Sequence, residues 1–215
     1  MDPELNQEQA TTADETRATT GLVMCGGEGT RLRPAVGDTE KPLVDVGGEP
    51  MIDRVVSALQ ASSLTTVAAA VSPATPETAA HLAEVDGVEC ITTAGEGYVA
   101  DLGEAVAQLK TPTVTVAADL PLVTAGHVDR AAATAGSDSL TVCVPAALTA
   151  ALGVSAETTT EADGEPVVPT GLNVVGDGAG RTVVWVDDRL AFNINRPDDR
   201  RAVERWLDRT DQTKL

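Results

Sequence analysis

Residues 21–33 have the sequence Gly-Leu-Val-Met-Cys-Gly-Gly-Glu-Gly-Thr-Arg-Leu-Arg. The apolar first part, Gly21–Cys25, is typical of a buried strand, and it ends at paired glycines that begin a loop. Gly26, Gly27 and Gly29 allow the backbone to turn sharply and to approach a ligand without interference from a Cβ atom. Successive N–H groups in such a loop form a concavity that suits a polyphosphate. The stretch therefore predicts a strand followed by a phosphate-binding loop.

Positively charged side chains accompany this loop. Arg31 lies near its end, and Lys41 stands between Glu40 and Pro42 in a chain that has few lysines. Arginine keeps its charge whatever its surroundings. Two other phosphate loops are excluded: a dinucleotide fingerprint requires glycine at Leu32, and a P-loop requires Gly-Lys-Ser/Thr, which the sequence lacks. A plain glycine-rich turn is the alternative, and the nearby Arg31 and Lys41 favour the phosphate site over it.

Apolar runs and helical periodicities alternate outward from this loop. Strands are predicted at 21–25, 65–71, 88–92, 113–118 and 139–144, and helices at 50–60, 76–84, 98–110 and 127–135. This alternation predicts an α/β fold with a Rossmann-like, mostly parallel central sheet and helices on both faces. The last third differs: short strands at 171–175, 181–186 and 192–194 without helices between them, then a helix at 197–208.

The length of 215 residues suits one domain. Residues 1–19 are polar and acidic without periodicity, so we interpret them as a disordered N-terminal tail. We place a single domain at 20–209 and a short C-terminal tail at 210–215. The sequence leaves the oligomeric state open, a homodimer included.

The charge of the chain is strongly acidic, with 33 Asp and Glu against 15 Lys and Arg. This balance is what we expect of an enzyme from a high-salt cytoplasm, where screening makes the self-repulsion of an acidic surface tolerable. An acidic disordered scaffold is the alternative, and 42% hydrophobic residues in regular runs disfavour it. Without a basic stripe to displace counterions, we expect no nucleic-acid partner.

Other features narrow the class of protein further. Cys25, Cys90 and Cys143 are far apart and form no CxxC pair, so reduced thiols are a simpler interpretation than a disulfide framework or a zinc site. His81 and His127 each stand alone, which excludes a histidine-rich metal cage. No apolar run reaches the ~18 residues of a membrane span. We therefore expect a cytoplasmic protein without a membrane partner.

A second candidate site follows the predicted strand at 113–118. The stretch Val116-Ala-Ala-Asp-Leu-Pro121 places Asp119 at the carboxyl end of this strand, the edge at which open α/β sheets bind ligands. Mg²⁺ in such sites usually takes one or two carboxylates together with phosphate oxygens. We therefore predict Asp119 as the principal Mg²⁺ ligand. The alternative is that Asp119 caps the following turn.

Together, the glycine loop, Lys41-Pro42 and Asp119 resemble the molybdenum-cofactor guanylyltransferase-like superfamily of nucleotidyltransferases. Within it, the chain is most similar to the archaeal adenosylcobinamide-phosphate guanylyltransferases. Four further stretches support the resemblance: Ala70-Val-Ser-Pro-Ala-Thr-Pro76, Gly95-Glu-Gly-Tyr-Val-Ala-Asp-Leu102, Val168-Pro-Thr-Gly-Leu-Asn-Val-Val175 and Phe192-Asn-Ile-Asn195. The resemblance covers residues 21–208. Glu28 departs from the family, which commonly has lysine there.

The resemblance implies a nucleotide-diphospho-sugar-transferase-like fold and a Mg²⁺-dependent reaction. GTP and adenosylcobinamide phosphate would give adenosylcobinamide-GDP and pyrophosphate, in cobalamin biosynthesis. The catalytic residues implied are Arg31, Lys41 and Asp119. An acceptor such as molybdopterin stays open within the enzyme class, and a non-catalytic nucleotide-binding module stays open outside it.

The same resemblance implies binding roles for further residues. The nucleotide would contact Gly26, Gly27, Gly29, Thr30, Arg31, Lys41, Gly95 and Gly97. The acceptor would contact Gly171, Asn173, Asn193 and Asn195. Asn195 is also our choice for the second Mg²⁺ ligand. The pair Asp187-Asp188 is the alternative source of a carboxylate that binds the metal. Tyr98 and Phe192 have two open interpretations, core packing or stacking on a ligand.

Overall fold

The computed structural model describes residues 17–27 and 29–212, with side chains through residue 210. The strands in this part of the chain are β1 Thr20–Met24, β2 Thr66–Val71, β3 Val88–Thr92, β4 Thr113–Ala117, β5 Ser139–Pro145, β6 Thr160–Ala162, β7 Glu165–Val175 and β8 Gly180–Val184. The helices are α1 Arg33–Val36, α2 Met51–Gln60, α3 Pro76–Ala83, α4 Tyr98–Val106, α5 Ala125–Ala135, α6 Ala146–Leu152, α7 Asp188–Ala191 and α8 Pro197–Gln212. A 3₁₀ turn spans Lys41–Leu43.

The strands form a single mixed sheet. Its order is β3-β2-β1-β4-β7-β5-β8, and β6 pairs with β7. Strands β1 to β4 are mutually parallel, and β8 is parallel to β5. Strand β7 is antiparallel to β4, to β5 and to β6, so within the described residues it alone runs against the rest. The expected α/β fold with a mostly parallel sheet is confirmed.

Helices pack on both faces of the sheet, as the alternation predicted. Successive strand residues point to opposite faces, so Val23 lies in the main core while Leu22 and Met24 lie in a smaller core on the other side. The main core buries the apolar sides of α2 and α5, and Leu82 of α3 joins it. The smaller core lies beneath Ala105 of α4.

A third cluster packs α8 and the segment before it against the loop after β1. Its members are Leu32, Val44, Val46, Met51, Leu122, Val154, Phe192, Ile194, Ala202 and Val203. The backbone N–H of Ile194 also donates to the carbonyl of Asp119 at 2.8 Å. This packing fixes the chain around Ile194 beside the end of β4, where the functional site forms.

The last third contains the errors of the sequence-based prediction. The strand at 192–194 is wrong, because helix α7 ends at Ala191 and an irregular segment follows. Phe192 and Ile194 alternate with asparagines as in a strand, but they are buried by α8 and the loop after β1 rather than by a paired strand. The expectation of no helices between the late segments is also wrong, because α7 follows β8. Helix α6 and strand β6 were not predicted, and β7 begins at Glu165 rather than at Gly171.

The ends of the folded part also differ from the predicted bounds. Ala18, which we placed in the tail, is buried in the main core, and α8 continues through Gln212, past residue 209. The predicted disorder of residues 1–16 lies outside the described residues, as do residues 213–215. Within the described part of the chain, no helix is both long enough and apolar enough to cross a membrane.

Candidate active site

A cleft of about 310 Å³ opens at the carboxyl ends of β1 and β4. Its lining residues are Met24, Cys25, Gly26, Gly27, Lys41, Pro42, Gly95, Gly97, Tyr98, Asp101, Ala117, Ala118 and Asp119. Parallel strands that end at one edge bring the loops that follow them together there. The structure therefore places the glycine loop, Lys41, the 95–97 loop and Asp119 in one cavity.

Gly29 positions Lys41 at this cleft. Its φ is +61°, a conformation that glycine adopts without strain. A Cβ atom on Gly29 would lie 2.6 Å from Cβ of Lys41, so the loop and the lysine are in direct contact. The 3₁₀ turn that begins at Lys41 then holds Pro42 buried beneath the cleft. The glycine therefore serves the placement of the lysine as well as the turn.

Lys41, Asp119 and Asn195 form one polar cluster. The Lys41 ammonium donates to Oδ2 of Asp119, and to Oδ1 of Asn195 at 2.6 Å. The side chains of Lys41 and Asp119 are 13% and 15% exposed, so water screens the pair weakly. The cluster joins residues that are 78 and 154 positions apart in the chain.

Two of the three predicted asparagines, Asn193 and Asn195, belong to this cluster. Nδ2 of Asn195 donates to Oδ1 of Asn193 at 2.6 Å, and Nδ2 of Asn193 donates to the carbonyl of Thr170 at 3.3 Å. The amide groups therefore link Lys41 to strand β7. The carboxylate of Asp199 fixes the backbone behind them, because it accepts the N–H groups of Asn195 and Arg196 at 3.0 and 2.8 Å.

The cluster fits a magnesium ion by its donor chemistry. Mg²⁺ binds oxygen ligands, and the carboxylate of Asp119 and the amide oxygen of Asn195 are such ligands. Oδ1 of Asp119 is buried and has no hydrogen-bond partner in the structure. A buried acceptor without a partner is costly, so a cation at this oxygen would remove that cost. Among the described residues, no group of three or more His, Cys, Asp or Glu is arranged to hold a metal, so phosphate oxygens would have to supply further ligands.

The alternative carboxylate, Asp187, serves a different contact. Its Oδ2 lies 3.0 Å from Nε2 of His127, and its Oδ1 accepts the N–H of Arg189 at 2.9 Å. Asp187 thus caps helix α7 and pairs with α5. This assignment leaves Asp119 as the better metal ligand of the two.

Comparison with known proteins identifies the family to which the chain belongs. Residues 21–212 match the family model described as the MobA-like NTP transferase domain. The chain belongs to this family. A curated relative, the adenosylcobinamide-phosphate guanylyltransferase of Methanocaldococcus jannaschii, is 31% identical over 200 residues, which is 86% of this chain and 96% of the relative. The mannose-1-phosphate guanyltransferase of Kluyveromyces lactis is 46% identical over 52 residues, 24% of this chain and 14% of the relative.

Solved structures confirm the fold of this MobA-like NTP transferase. The 4-diphosphocytidyl-2C-methyl-D-erythritol synthase of Anaerococcus prevotii superposes with a TM-score of 0.66 at 9% identity, covering 92% of this chain and 99% of that one. A CMP:2-keto-3-deoxy-manno-octonic acid synthetase superposes with a TM-score of 0.61 at 16% identity, covering 90% and 99%. The expected nucleotide-diphospho-sugar-transferase-like fold is confirmed, and the family membership confirms an enzyme of the nucleotidyltransferase type.

Asp101 is a buried residue of the cleft that the sequence-based prediction missed. Its buried carboxylate accepts the N–H of Gly95 at 2.9 Å and the N–H of Glu96 at 3.2 Å. Gly95 and Gly97 both have positive φ, so the loop before α4 has the sharp backbone that glycine permits. Asp101 therefore fixes the loop that we expect at the nucleobase. The sequence did contain a signal for this role, because Asp101 is an acidic residue in the first turn of the helix that follows the loop.

The two unassigned aromatic residues have different surroundings. Phe192 is buried, and its ring packs against Trp206 with centroids 5.7 Å apart, so it belongs to the core. Tyr98 is 47% exposed and lies in the wall of the cleft. Desolvation of the phenol and the nearby Asp119 carboxylate raise the pKa of Tyr98, and an interaction with Thr115 opposes the shift. The core interpretation is thus wrong for Tyr98, and the stacking interpretation remains.

Two predicted phosphate ligands lie outside the cleft lining. Arg31 is exposed and pairs with Glu157, a carboxylate that Arg196 also approaches at 3.4 Å. Thr30 is exposed at the start of the turn that leads into α1. Neither Arg31 nor Thr30 lines the cleft in this structure, and their contact with phosphates stays a prediction. Glu28, the departure from the family pattern, lies outside the described residues.

The remaining acceptor candidates divide between the cleft and a neighbouring groove. Gly171 has a φ of +84°, and a Cβ atom there would lie 2.9 Å from Cβ of Ala117 and 3.4 Å from Nδ2 of Asn193. The backbone conformation and the contact with Ala117 are enough to require glycine at this position. Asn173 is not part of the Lys41 cluster; it lines a second groove that it shares with Tyr98.

Proposed function

We propose that this nucleotidyltransferase transfers GMP from GTP to adenosylcobinamide phosphate, with adenosylcobinamide-GDP and pyrophosphate as products. Support comes from the guanylyltransferase relative, which aligns over nearly its whole length. Support also comes from the cluster of Lys41, Asp119 and Asn195 in the cleft, the observation on which the proposal depends most. The cluster offers a cation beside a carboxylate and an amide at the edge where α/β proteins bind nucleotides.

The glycine loop and the 95–97 loop would hold the two ends of the nucleotide. Backbone N–H groups of Gly26 and Gly27 line the cleft and suit the phosphates. The loop that Asp101 fixes would hold the guanine base. The nucleotide would then extend across the ends of β1 and β4, with its α-phosphate near Lys41.

The reaction is an in-line substitution at phosphorus. A phosphate oxygen of the acceptor forms a bond to the α-phosphorus of GTP, the bond between this phosphorus and the bridging α–β oxygen breaks, and pyrophosphate leaves. A phosphate monoester is ionised near neutral pH, so no residue is needed as a general base. Catalysis then depends on positioning and on charge stabilisation. Lys41 would neutralise charge that develops around the α-phosphate, and Asn195 would orient the lysine.

Mg²⁺ is our proposed cofactor. Asp119 and Asn195 would hold it, and it would supply charge neutralisation at the phosphate oxygens. The free Oδ1 of Asp119 supports this assignment.

Pyrophosphate release tests the proposal directly. The purified protein is incubated in molar KCl with Mg²⁺, adenosylcobinamide phosphate and each of the four nucleoside triphosphates. We expect release with GTP and formation of adenosylcobinamide-GDP, and we expect Lys41→Met to abolish both. Pyrophosphate release with molybdopterin but not with adenosylcobinamide phosphate would show that molybdopterin is the acceptor instead. GTP binding without release for any acceptor would instead support a non-catalytic module.

A further inference from the structure

A second groove lies on the half of the sheet beyond α4. It is lined by Tyr98, Leu102, Ser139, Leu140, Thr141, Asn173, Val174, Val175, Gly180, Arg181 and Thr182. Among the described helices, α4 packs on this face over β1 and β2, whereas α2 and α5 pack on the opposite face. The strands β7, β5 and β8 therefore present an open surface next to Tyr98.

Four polar residues form a row across the sheet, and three of them, Asn173, Thr141 and Thr182, line the groove. Thr115 of β4 pairs with Asn173 of β7, Asn173 pairs with Thr141 of β5, and Thr141 pairs with Thr182 of β8. Residues that are paired across strands project from the same face of a sheet. Since neighbouring strands lie about 4.8 Å apart, the row is about 14 Å long.

The inner end of the row contains an unsatisfied polar atom. The Thr115 side chain is fully buried, and its Oγ1 has no well-formed hydrogen bond, although the Tyr98 phenol is close enough to interact with it. Because Thr115 is fully buried and does not line the groove, it marks the covered inner end of the row, beside Tyr98, rather than a contact for a ligand. Tyr98 lines both this groove and the cleft, so the two cavities adjoin at one side chain.

The groove is almost uncharged in a chain that carries a net charge of −18. No acidic residue is among its described lining residues, which include one charged residue, Arg181. The guanidinium of Arg181 donates to the carbonyl of Thr134, at the end of α5, on the other face of the sheet. Hydroxyl and amide groups therefore dominate the open surface.

We propose that this groove binds the carboxamide-bearing body of the acceptor, beyond its phosphate. The inference rests on the proposed function and extends it to the part of the substrate that does not react. A large acceptor body rich in amides requires hydrogen-bond donors and acceptors in a row, and the side chains of Asn173, Thr141 and Thr182 provide them. Because the two cavities adjoin at Tyr98, the acceptor phosphate would lie in the cleft while the body lies along the strands.

Two isosteric substitutions test the groove. Thr141→Val with Thr182→Val removes two hydroxyls and keeps β-branched side chains of the same shape on the strands. Because a net hydrogen bond is worth about 1 kcal/mol, we expect KM for the cobinamide acceptor to rise at least tenfold while KM for GTP stays within twofold. Thr66→Val, at an exposed position at the start of β2, is the matched control and should change neither.

A small acceptor separates this site from the chemistry. With a short alkyl phosphate monoester, which lacks the amide-bearing body, the wild type and the double variant should show the same kcat/KM. The double variant therefore loses its preference for the large acceptor. If its folding is impaired, Thr182→Val alone, at an exposed position, should still raise the acceptor KM about fivefold.

Three results would overturn the inference. An unchanged acceptor KM in the folded double variant would remove the groove from the substrate path. A dimer by light scattering that the double variant dissociates would make this face an interface between copies of the chain. A wild type that binds no cobinamide phosphate in equilibrium dialysis would refute the proposed function and this site with it.

Discussion

Gly29→Ala is the substitution whose effect the structure defines most sharply. Gly29 has a φ of +61°, and an added methyl group would lie 2.6 Å from Cβ of Lys41. The change therefore imposes two separate penalties, backbone strain and overlap with the residue that we place near the α-phosphate. Gly37→Ala isolates the first penalty, because Gly37 has a φ of +64° and nothing lies within 4 Å of its added Cβ atom.

The expected magnitudes differ between the two variants. A left-handed conformation costs a non-glycine residue roughly 1–2 kcal/mol, which is the whole penalty at Gly37. Overpacking against Lys41 adds about 1–3 kcal/mol at Gly29. For a chain of this size, 1 kcal/mol shifts the melting midpoint by about 2–4 °C. Turnover should also fall about a hundredfold in Gly29→Ala, because a misplacement of about 1 Å has that effect on a positioned group.

Thermal melts in molar KCl, with turnover assays on the folded variants, provide the measurement. Gly29→Ala should melt several degrees below Gly37→Ala and lose activity, whereas Gly37→Ala should keep it. Equal melting midpoints and equal turnover would show that Gly29 does not position Lys41, and the reasoning would fail.

Three further predictions concern the site and the surface. Asp119→Asn should lower turnover at least a hundredfold with Mg²⁺ present. GTP affinity should change less than tenfold, since loop amides would still bind the phosphates. Near-normal turnover would remove Asp119 from the site. The melting midpoint should rise clearly from low to molar KCl, and a flat or falling midpoint would contradict the high-salt interpretation. Because desolvation and Asp119 raise the pKa of Tyr98, stability should fall as pH rises above about 10. Tyr98→Phe should make that fall shallower in pH-dependent melts, and an identical profile would refute the assignment.

The first two thirds of the fold could be predicted because parallel strands buried on both faces are continuous apolar runs. Thr66–Val71 is such a run after its first residue, and Thr113–Ala117 alternates threonine with valine but is buried almost throughout; turn residues around both strands mark their ends. The last third lacks this property. Strand β7 starts with the exposed Glu165-Pro166 pair, and α6 follows β5 without a turn signal. The pattern at Phe192–Asn195 was misleading, because tertiary packing rather than strand pairing buries its apolar residues.

Residue types in the site were predictable, but their partners were not. Lys41 and Asp119 stood out by their local sequence, and the structure joins them. Asp199 gave no such signal. Its role depends on donors from distant segments, among them the N–H of Ser155 at 2.7 Å, 44 positions away. Arg31 is the opposite case, since its motif predicts a phosphate contact that stays a prediction, and nothing in the sequence indicated the pair that it forms with Glu157.

The two oxygens of Asp119 would let an acidic chain bind the triphosphate that we propose as its substrate. Oδ2 accepts the ammonium of Lys41, which Asn195 also holds, so the lysine stays fixed beside the cleft rather than extended into water. Oδ1 is buried and free of hydrogen bonds, so the same carboxylate has an oxygen left for a second cation. One buried aspartate thus gathers positive charge where the α-phosphate would lie, although the chain as a whole repels anions. The asparagines contribute geometry without charge. The amide of Asn195 orients Lys41 and leaves the net charge of the site unchanged. An acidic residue in place of Asn195 would repel the incoming phosphates.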